Sequence, residues 1–437
     1  MHCILIERRR FKNLGFNVHY DFSNSDFEVC YDVLKNMLGN DSSIPFDALQ
    51  YLIGEAIYGG RVTDEWDRRL LNVYTQTLFC QEAVDQPSFA LGGEYTIPDD
   101  GTLVSYMTHI SSFPTYDHPS AFGQHTNAQV ASQVEDAKRL LGSLSLLRPD
   151  KETKLNTNNG NNKGRQCLDK LKAVPQCLDM KKVLEYENHS LDSSAIKTFL
   201  VQEVERYNEL LSIIHITRAH LEDVIDGKAA MTSTLETQLK TLSEFQVPKD
   251  WQHFYNSTKP LDAWILELCE RVRQLELWID NGAPKIFWLG GFSNPSGFLT
   301  AVLQTEARRK ILSIDLFTWN FSVITTVAEN QLEVPNEGVY ISGLFLEGAS
   351  YDVTSDCLLD PKPMQLLFNM PIIHFHPTES SKKPLCEQYT CPMYICPDRA
   401  GPSQSPSYFF SLNLNSGEKS SDHWVKRGVA ILLSNSE

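Results

Sequence analysis

The hydrophobic pattern changes character at Pro284, and this change constrains the fold more than any other feature of the 437-residue chain. Before Pro284, apolar residues recur every three to four positions, as they do on the buried face of a helix. After it, apolar residues gather in short runs separated by Pro, Gly, Asn and Asp, which is typical of β-strands. A helical part followed by a β-rich part predicts the α+β class.

The helical part has recognisable starts and stops. Thr63 is the predicted N-cap of one helix. Asp64 and Glu65 lie in its first turn, where the positive end of the helix dipole stabilises their negative charges. Asn281-Gly282 is the predicted stop of another helix. We predict helices near residues 24–38, 46–57, 63–78, 103–110, 128–147, 196–225, 235–245 and 261–279.

The β-rich part predicts a small antiparallel barrel or sandwich docked on the helices. The β-type runs lie at residues 286–289, 338–346, 370–376, 389–396, 409–414 and 429–433. A polar, Asn-rich tract at 148–166 interrupts the helical part. It has too little apolar surface to fold and is predicted to be a disordered insert.

The charge balance disfavours two classes of partner. Lys and Arg total 39 and Asp and Glu total 55, so the formal net charge is −16. An acidic protein repels nucleic-acid backbones and anionic membranes. The short basic runs at 7–10 and 306–310 are interpreted as solvated faces, so we expect no nucleic-acid and no membrane partner. The ten cysteines form no CxxC pair, which favours reduced cytosolic thiols.

Motif searches identify no catalytic, cofactor-binding or metal-binding residue, and we assign none. The phosphate-binding pattern G-x-x-x-x-G-K-[ST] does not occur, and the Gly-rich run at 290–297 has no lysine to reach a phosphate. One possible zinc site consists of two histidines on one strand face and three nearby cysteines: His374, His376, Cys386, Cys391 and Cys396. The cysteines are five residues apart, wider than usual zinc pairs, so packed side chains are favoured.

Three further features have a functional and a structural interpretation. A dense charged cluster lies at the start of one helix and could hold a catalytic acid/base pair or form an intramodule salt-bridge network: Arg61, Asp64, Glu65, Asp67, Arg68 and Arg69. We favour the network. Trp264, Trp278 and Trp288 are predicted core residues rather than a ligand platform. The 423–427 segment could be a partner-docking edge, but a buried final strand at 429–433 is favoured.

Several long stretches carry a family resemblance. Residues 4–17 and 58–68 resemble the sixth AAA+ module of a dynein heavy chain, and 122–128 is similar to that family's FGLHPNA stretch. Residues 287–300, 343–349, 391–394 and 423–430 are similar to strings of its C-terminal domain. Gln124-His125-Thr126 and Ser293-Asn294 depart locally from the family pattern. The strings around 343–349 favour an axonemal heavy chain.

The resemblance implies a layout. Residues 1–22 resemble the end of the sixth module's large subdomain, 23–130 its helical lid, and 131–437 the C-terminal domain, helical over 167–283 and β-rich over 284–437. No cofactor is expected in this chain, because the family's ATP and Mg sites lie in upstream modules.

The resemblance also implies a role in a minus-end-directed, ATP-driven microtubule motor. This part closes and braces the AAA+ ring, within the cytoskeleton of the cytoplasm or of a ciliary or flagellar axoneme. Implied partners are the remaining ring modules, the intermediate, light intermediate and light chains, and microtubules through a stalk that is not in this sequence. Two alternatives are a stand-alone scaffold protein from a truncated gene and an enzyme with an unrecognised site.

Overall fold

The computed structural model describes residues 1–40, 44–93, 95–146, 165–166, 168–185, 194–255, 257, 259–324, 332–379, 388–399 and 407–435. Most of the predicted Asn-rich insert, residues 148–164, and Cys386 of the considered zinc site lie outside these residues. The predicted α+β class is confirmed, with helices dominating up to residue 281 and strands thereafter.

The N-terminal helices enclose a first group of buried side chains. Their bounds are α1 His2–Arg8, α2 Asn24–Asn40, α3 Phe46–Tyr51, α4 Glu65–Leu78, α5 Glu82–Asp85, α6 Leu103–Ser111 and α7 Asn127–Leu146, with a short hairpin of β1 Ala90–Gly92 and β2 Tyr95–Thr96. A π-helical turn, Leu52–Ile57, continues α3. The predicted cap of α4 was wrong by one residue. Asp64 is the N-cap, because its carboxylate accepts hydrogen bonds from the backbone N–H groups of Trp66 and Asp67.

The following helices are longer and surround an aromatic core. They are α8 (168–171), α9 Met180–Glu185, α10 Ser194–Ile225, α11 Ser233–Ser243, α12 Lys249–Gln252, α13 Leu261–Asn281 and α14 Pro295–Lys310. Trp264 and Trp278 are fully buried, which confirms them as core residues. Gly282 ends α13 at positive φ, as predicted. Glu203 of α10 fixes the loop before α14 by accepting hydrogen bonds from both Ser293 and Asn294.

The strands form two principal sheets. They are β3 Ile286–Trp288, β4 Thr318–Val323, β5 Val339–Ser342, β6 Phe345–Glu347, β7 Ser350–Asp352, β8 Cys357–Leu359, β9 Leu367–Asn369, β10 Ile373–Thr378, β11 Gln388–Tyr394, β12 Tyr408–Asn415 and β13 Ala430–Leu432. One sheet has the order β3-β5-β10-β4 and the other β12-β11-β13-β6-β9. Most pairs are antiparallel, but β3 runs parallel to β5 and β11 runs parallel to β13.

The final strand is buried, as predicted, but the residues before it form a helix. Helix α15, Ser421–Arg427, begins at the Ser420 cap and ends at Gly428 in the left-handed conformation. Strand β13 then enters the centre of the five-stranded sheet. Since α15 packs on α4, the C-terminal residues contact the N-terminal helices directly. A single cluster of buried apolar side chains accordingly extends from Leu5 to Leu433.

Candidate functional site

The contact between the N-terminal helices and the β-rich part contains a group of buried polar residues. We call it the junction and define it by Arg8, Asn17, Asp67, Arg69 and Tyr74 on one side and Tyr389, Tyr394, Arg399, Lys426 and Gly428 on the other. Several of these residues are fully buried, so each polar group needs a partner.

Arg8 holds the N-terminal segment together. Its Nε donates to the Gly15 carbonyl at 2.8 Å, and its Nη2 donates to the Leu14 carbonyl at 3.0 Å. Its Nη1 donates to the Tyr74 hydroxyl at 2.7 Å and to the Phe122 carbonyl at 3.0 Å. The fully buried guanidinium therefore ties together three segments that are far apart in sequence.

Asp67 and Asn17 continue this network towards the sheet. The Asp67 carboxylate accepts from the backbone N–H groups of Asn17 at 2.9 Å and Val18 at 3.1 Å, and from the Tyr20 hydroxyl at 3.0 Å. The Asn17 side chain donates to the Tyr394 hydroxyl at 2.7 Å. Asn17 is therefore a polar link between helix α4 and strand β11.

Arg69 of helix α4 forms hydrogen bonds directly with strand β11. Its Nη1 donates to the Thr390 carbonyl at 2.8 Å, and its Nη2 donates to the Tyr389 hydroxyl at 3.1 Å. The guanidinium carbon lies 4.5 Å from the Trp66 ring centroid, within cation–π range. Tyr389 in turn donates to the Val429 carbonyl at 2.7 Å, so Arg69 is connected to the segment that leads into β13.

The C-terminal segment contributes its own contacts to the junction. Arg399 donates to the Gly428 carbonyl at 3.0 Å and pairs with Glu347. Lys426 donates to the Thr77 hydroxyl at 3.0 Å. Gly428 lies so close to the Leu14 carbonyl that a Cβ at this position would overlap the oxygen.

The charged cluster at 61–69 pairs with neighbouring segments of the N-terminal helices. Arg61 pairs with Asp26 at 2.9 Å and Arg68 pairs with Glu55 at 3.6 Å, both within the N-terminal helices. Asp64 caps α4, and Asp67 accepts backbone donors, while Arg69 crosses to β11. The cluster is thus a set of anchors to neighbouring segments.

His374 and His376, two residues of the possible zinc site, lie on one face of strand β10. The His374 and His376 rings lie 5.0 Å apart, and the His374 Nε2 contacts the Glu337 carbonyl at 2.8 Å. Burial raises the pKa of the Cys391 thiol to about 12, which keeps it protonated. Among the described residues, no group of three or more His, Cys, Asp or Glu side chains is placed to hold a metal ion.

Sequence reasoning missed Arg8, although a signal for it was present. Arg8 lies three residues after the buried Leu5 and four after Ile4, so it falls on the apolar face of α1 rather than with the exposed arginines that follow it. Arg399 and the tyrosines of β11 had no comparable signal, because their partners Glu347, Arg69 and Asn17 lie 52, 320 and 377 residues away in sequence.

Asp67 makes the stability of the junction depend on pH. Burial, and then the nearby Asp64 carboxylate, raise the pKa of Asp67 to about 7, although its three donors act in the opposite direction. The unfolded protein releases this proton near pH ~4. The folded protein therefore binds one more proton between these values, and the Asp67 contribution to stability falls as the pH rises through this window and is constant above it.

We predict that an Asp67→Asn variant, which imitates the protonated acid, isolates this contribution. The unfolding free energy of the native protein minus that of the variant should fall by about 2–3 kcal/mol between pH 5 and pH 7. Urea unfolding at the two pH values measures the difference. A difference that does not change with pH would contradict the assignment.

The fold and the junction define a class of protein: a helical lid fastened by buried polar contacts to an α+β domain. Comparison with known proteins identifies both parts. Residues 1–128 match the AAA lid domain of dynein heavy chains, and residues 134–433 match the C-terminal domain of dynein heavy chains. The protein belongs to the dynein heavy-chain family, as the sequence resemblance indicated.

The match to curated relatives covers this sequence from end to end. The sequence is 42% identical over 441 residues to the dynein-1-beta heavy chain of a flagellar inner arm complex of Chlamydomonas reinhardtii, and 42% identical over 440 residues to dynein axonemal heavy chain 2 of Homo sapiens. Each alignment covers 99% of this sequence and 10% of the relative. The 437 residues therefore span about a tenth of the length of these relatives. The matches do not favour the stand-alone scaffold alternative.

Proposed function

We propose that this protein is the C-terminal, non-nucleotide-binding portion of a dynein heavy chain and that it closes and braces the AAA+ ring of the motor. The observation that carries the proposal is the junction, which lies between the lid match and the C-terminal-domain match. A brace has to transmit force between the parts it joins. Buried arginine contacts suit this role, because separating them leaves charges and carbonyls unpaired in a dry interior.

The domain layout fits this proposal. The lid match ends at residue 128 and the C-terminal-domain match begins at 134, which supports the proposed boundary at 130/131. The junction residues belong to both sides of this boundary. The proposed end of the large subdomain, residues 1–22, lies within the lid match and supplies Arg8 and Asn17.

The proposed setting is the axoneme of a cilium or flagellum, because the relatives are named as axonemal and flagellar dyneins. The proposed partners are the remaining AAA+ modules, the intermediate, light intermediate and light chains, and microtubules through a stalk elsewhere in the motor. No helix in the described part of the protein is both long and apolar enough to cross a membrane.

Nucleotide titration tests whether this portion of the heavy chain is non-nucleotide-binding, as proposed. The 437-residue protein is expected to show no saturable binding of a fluorescent ATP analogue, because ATP and Mg belong to upstream modules. A mixture with an active AAA+ protein provides the positive control for the probe. Saturable binding at micromolar concentration would contradict the structural role.

Motor assays test the proposal that this portion braces the AAA+ ring. In a chimera, this sequence replaces the equivalent C-terminal tenth of the Chlamydomonas relative, and microtubule gliding is measured. We expect gliding to be retained in the chimera and slowed when Arg69 is replaced by Met, because that change removes both donors to β11. Equal velocities with and without Arg69 would contradict the bracing role.

A further inference from the structure

The start of helix α7 is held by a histidine side chain. The Nδ1 atom of His125 accepts a hydrogen bond from the backbone N–H of Asn127, the first residue of the helix, at 3.2 Å. The first N–H groups of a helix have no partner inside it, so this contact satisfies one of them. A ring nitrogen that accepts carries no proton, so the His125 ring is neutral, with its proton on Nε2.

The residue held in this way fastens the lid to the C-terminal part. The Asn127 side chain donates to the carbonyls of Lys362 and Gln365, both at 2.8 Å, and accepts from the backbone N–H of Met364 at 3.0 Å. These three partners lie in the loop between β8 and β9, within the C-terminal-domain match. Asn127 lies in the lid match and is buried. His125 therefore orients a side chain that links the two parts.

The charged groups that face His125 are Arg427 and Asp360. They come from helix α15 and from the β8–β9 loop, and they pair with each other at 3.1 Å. Burial, and then the Arg427 charge, lower the pKa of His125, although Asp360 and the Asn127 hydrogen bond act in the opposite direction. The same two charged groups face His423 of α15, whose pKa is lowered by burial and then by Arg427.

The remaining surroundings also disfavour a positive ring. Lys419 faces the neighbouring His423. Glu347 lines the same small cavity as His125, but its carboxylate already pairs with Arg399. Helix α7 has 20 residues, and the positive end of its dipole lies at the capping ring. A protonated ring would therefore meet like charges and would no longer accept from the first N–H of the helix.

We propose that His125 is a pH-sensitive cap, which fastens the lid to the C-terminal part when neutral and loosens this contact when protonated. Above about pH 6.5 the ring is neutral and Asn127 is held in place. Below that value the released ring binds a proton more readily than the capping ring does, so the contact weakens as the pH falls. The direction is opposite to that of Asp67, whose contribution falls as the pH rises. The cap acts independently of whether the protein serves a motor.

Hydrogen exchange with mass spectrometry tests the proposal on the 437-residue protein, by following a peptide that contains the first turn of α7. Exchange rates are corrected for the intrinsic effect of pH, which leaves the opening equilibrium of the helix start. We expect opening to increase about three- to tenfold from pH 7 to pH 5.5, because one hydrogen bond is lost and a cation meets the helix dipole. In His125→Asn, the amide oxygen can still accept but does not titrate, so the increase should stay below about twofold.

His118→Asn is the matched control. His118 also accepts a backbone N–H at Nδ1, from Ser120 at 3.3 Å, but it is exposed and caps a separate short helix. This variant should keep the native pH dependence at the start of α7.

NMR titration of the His125 ring in the same protein is the second readout, and it should give a pKa below the usual 6.5. The proposal is overturned if the native helix start opens equally at pH 7 and pH 5.5, or if His125→Asn responds to pH as strongly as the native protein. A ring pKa of about 6.5 or higher would overturn it as well.

Discussion

Replacing Arg8 by Met is expected to lower the free energy of unfolding by about 3–5 kcal/mol. Methionine is also a long, unbranched residue, but it supplies no donor. The carbonyls of Gly15 and Phe122 and the Tyr74 hydroxyl would then lose their Arg8 partner inside a dry core. Urea unfolding of the 437-residue protein measures the loss.

Arg10→Met is the matched control for this prediction. Arg10 lies two residues away and is largely exposed, with its one ion pair to Glu7 on the surface. Its replacement should cost less than about 1 kcal/mol, since exposed pairs contribute little. Equal losses in the two variants would show that Arg8 acts only through its charge and not through the carbonyls it joins.

The second large effect is expected from Gly428→Ala. Gly428 has φ +69°, a backbone conformation that residues with a side chain rarely adopt. The Cβ of an alanine at this position would overlap the Leu14 carbonyl. The conformational strain costs about 1 kcal/mol, and the overlap adds about 1–3 kcal/mol because backbone has to move. The expected total loss of unfolding free energy is therefore about 2–4 kcal/mol.

Gly227→Ala separates the two causes. Gly227 has φ +76°, close to that of Gly428, but apart from Gly227 itself and its two chain neighbours no heavy atom lies within 4 Å of the position of its Cβ. This variant should lose only the strain contribution of about 1 kcal/mol. If both glycine variants lose the same free energy, the close approach of Gly428 to Leu14 does not hold the junction together.

Local patterns predicted many of the helices and strands, because their signals are short in range. Helix α14 and strands β4, β7, β8 and β9 lie outside the predicted runs. The stop at Gly282 and the buried face of α13 follow from spacing along a single helix. The Asp64 cap was misplaced by one residue, since Thr63 and Asp64 are both good capping residues and only the backbone conformation selects between them. Helix α15 was missed because His423 to Arg427 carries no apolar repeat longer than Trp424-Val425.

The junction was less predictable from the sequence, because its contacts join distant segments. Arg69 belonged to a predicted cluster, but its partners on β11 lie 320 and 321 residues away. Asn17 and Tyr394 are separated by 377 residues. The family resemblance covers these positions without specifying which side chains meet. Such pairings depend on how α15 and β13 bring the C-terminal segment onto α4.

The central claim is that the junction braces the lid against the C-terminal part, so that the two parts open together when it is weakened. Hydrogen exchange with mass spectrometry on the 437-residue protein tests it most directly, by following peptides from α4 and β11 in the native protein and in Gly428→Ala. A bracing junction predicts that protection falls in both peptides by the same factor, about 30-fold for a loss of ~2 kcal/mol. Loss of protection in β11 alone, with α4 unchanged, would contradict it.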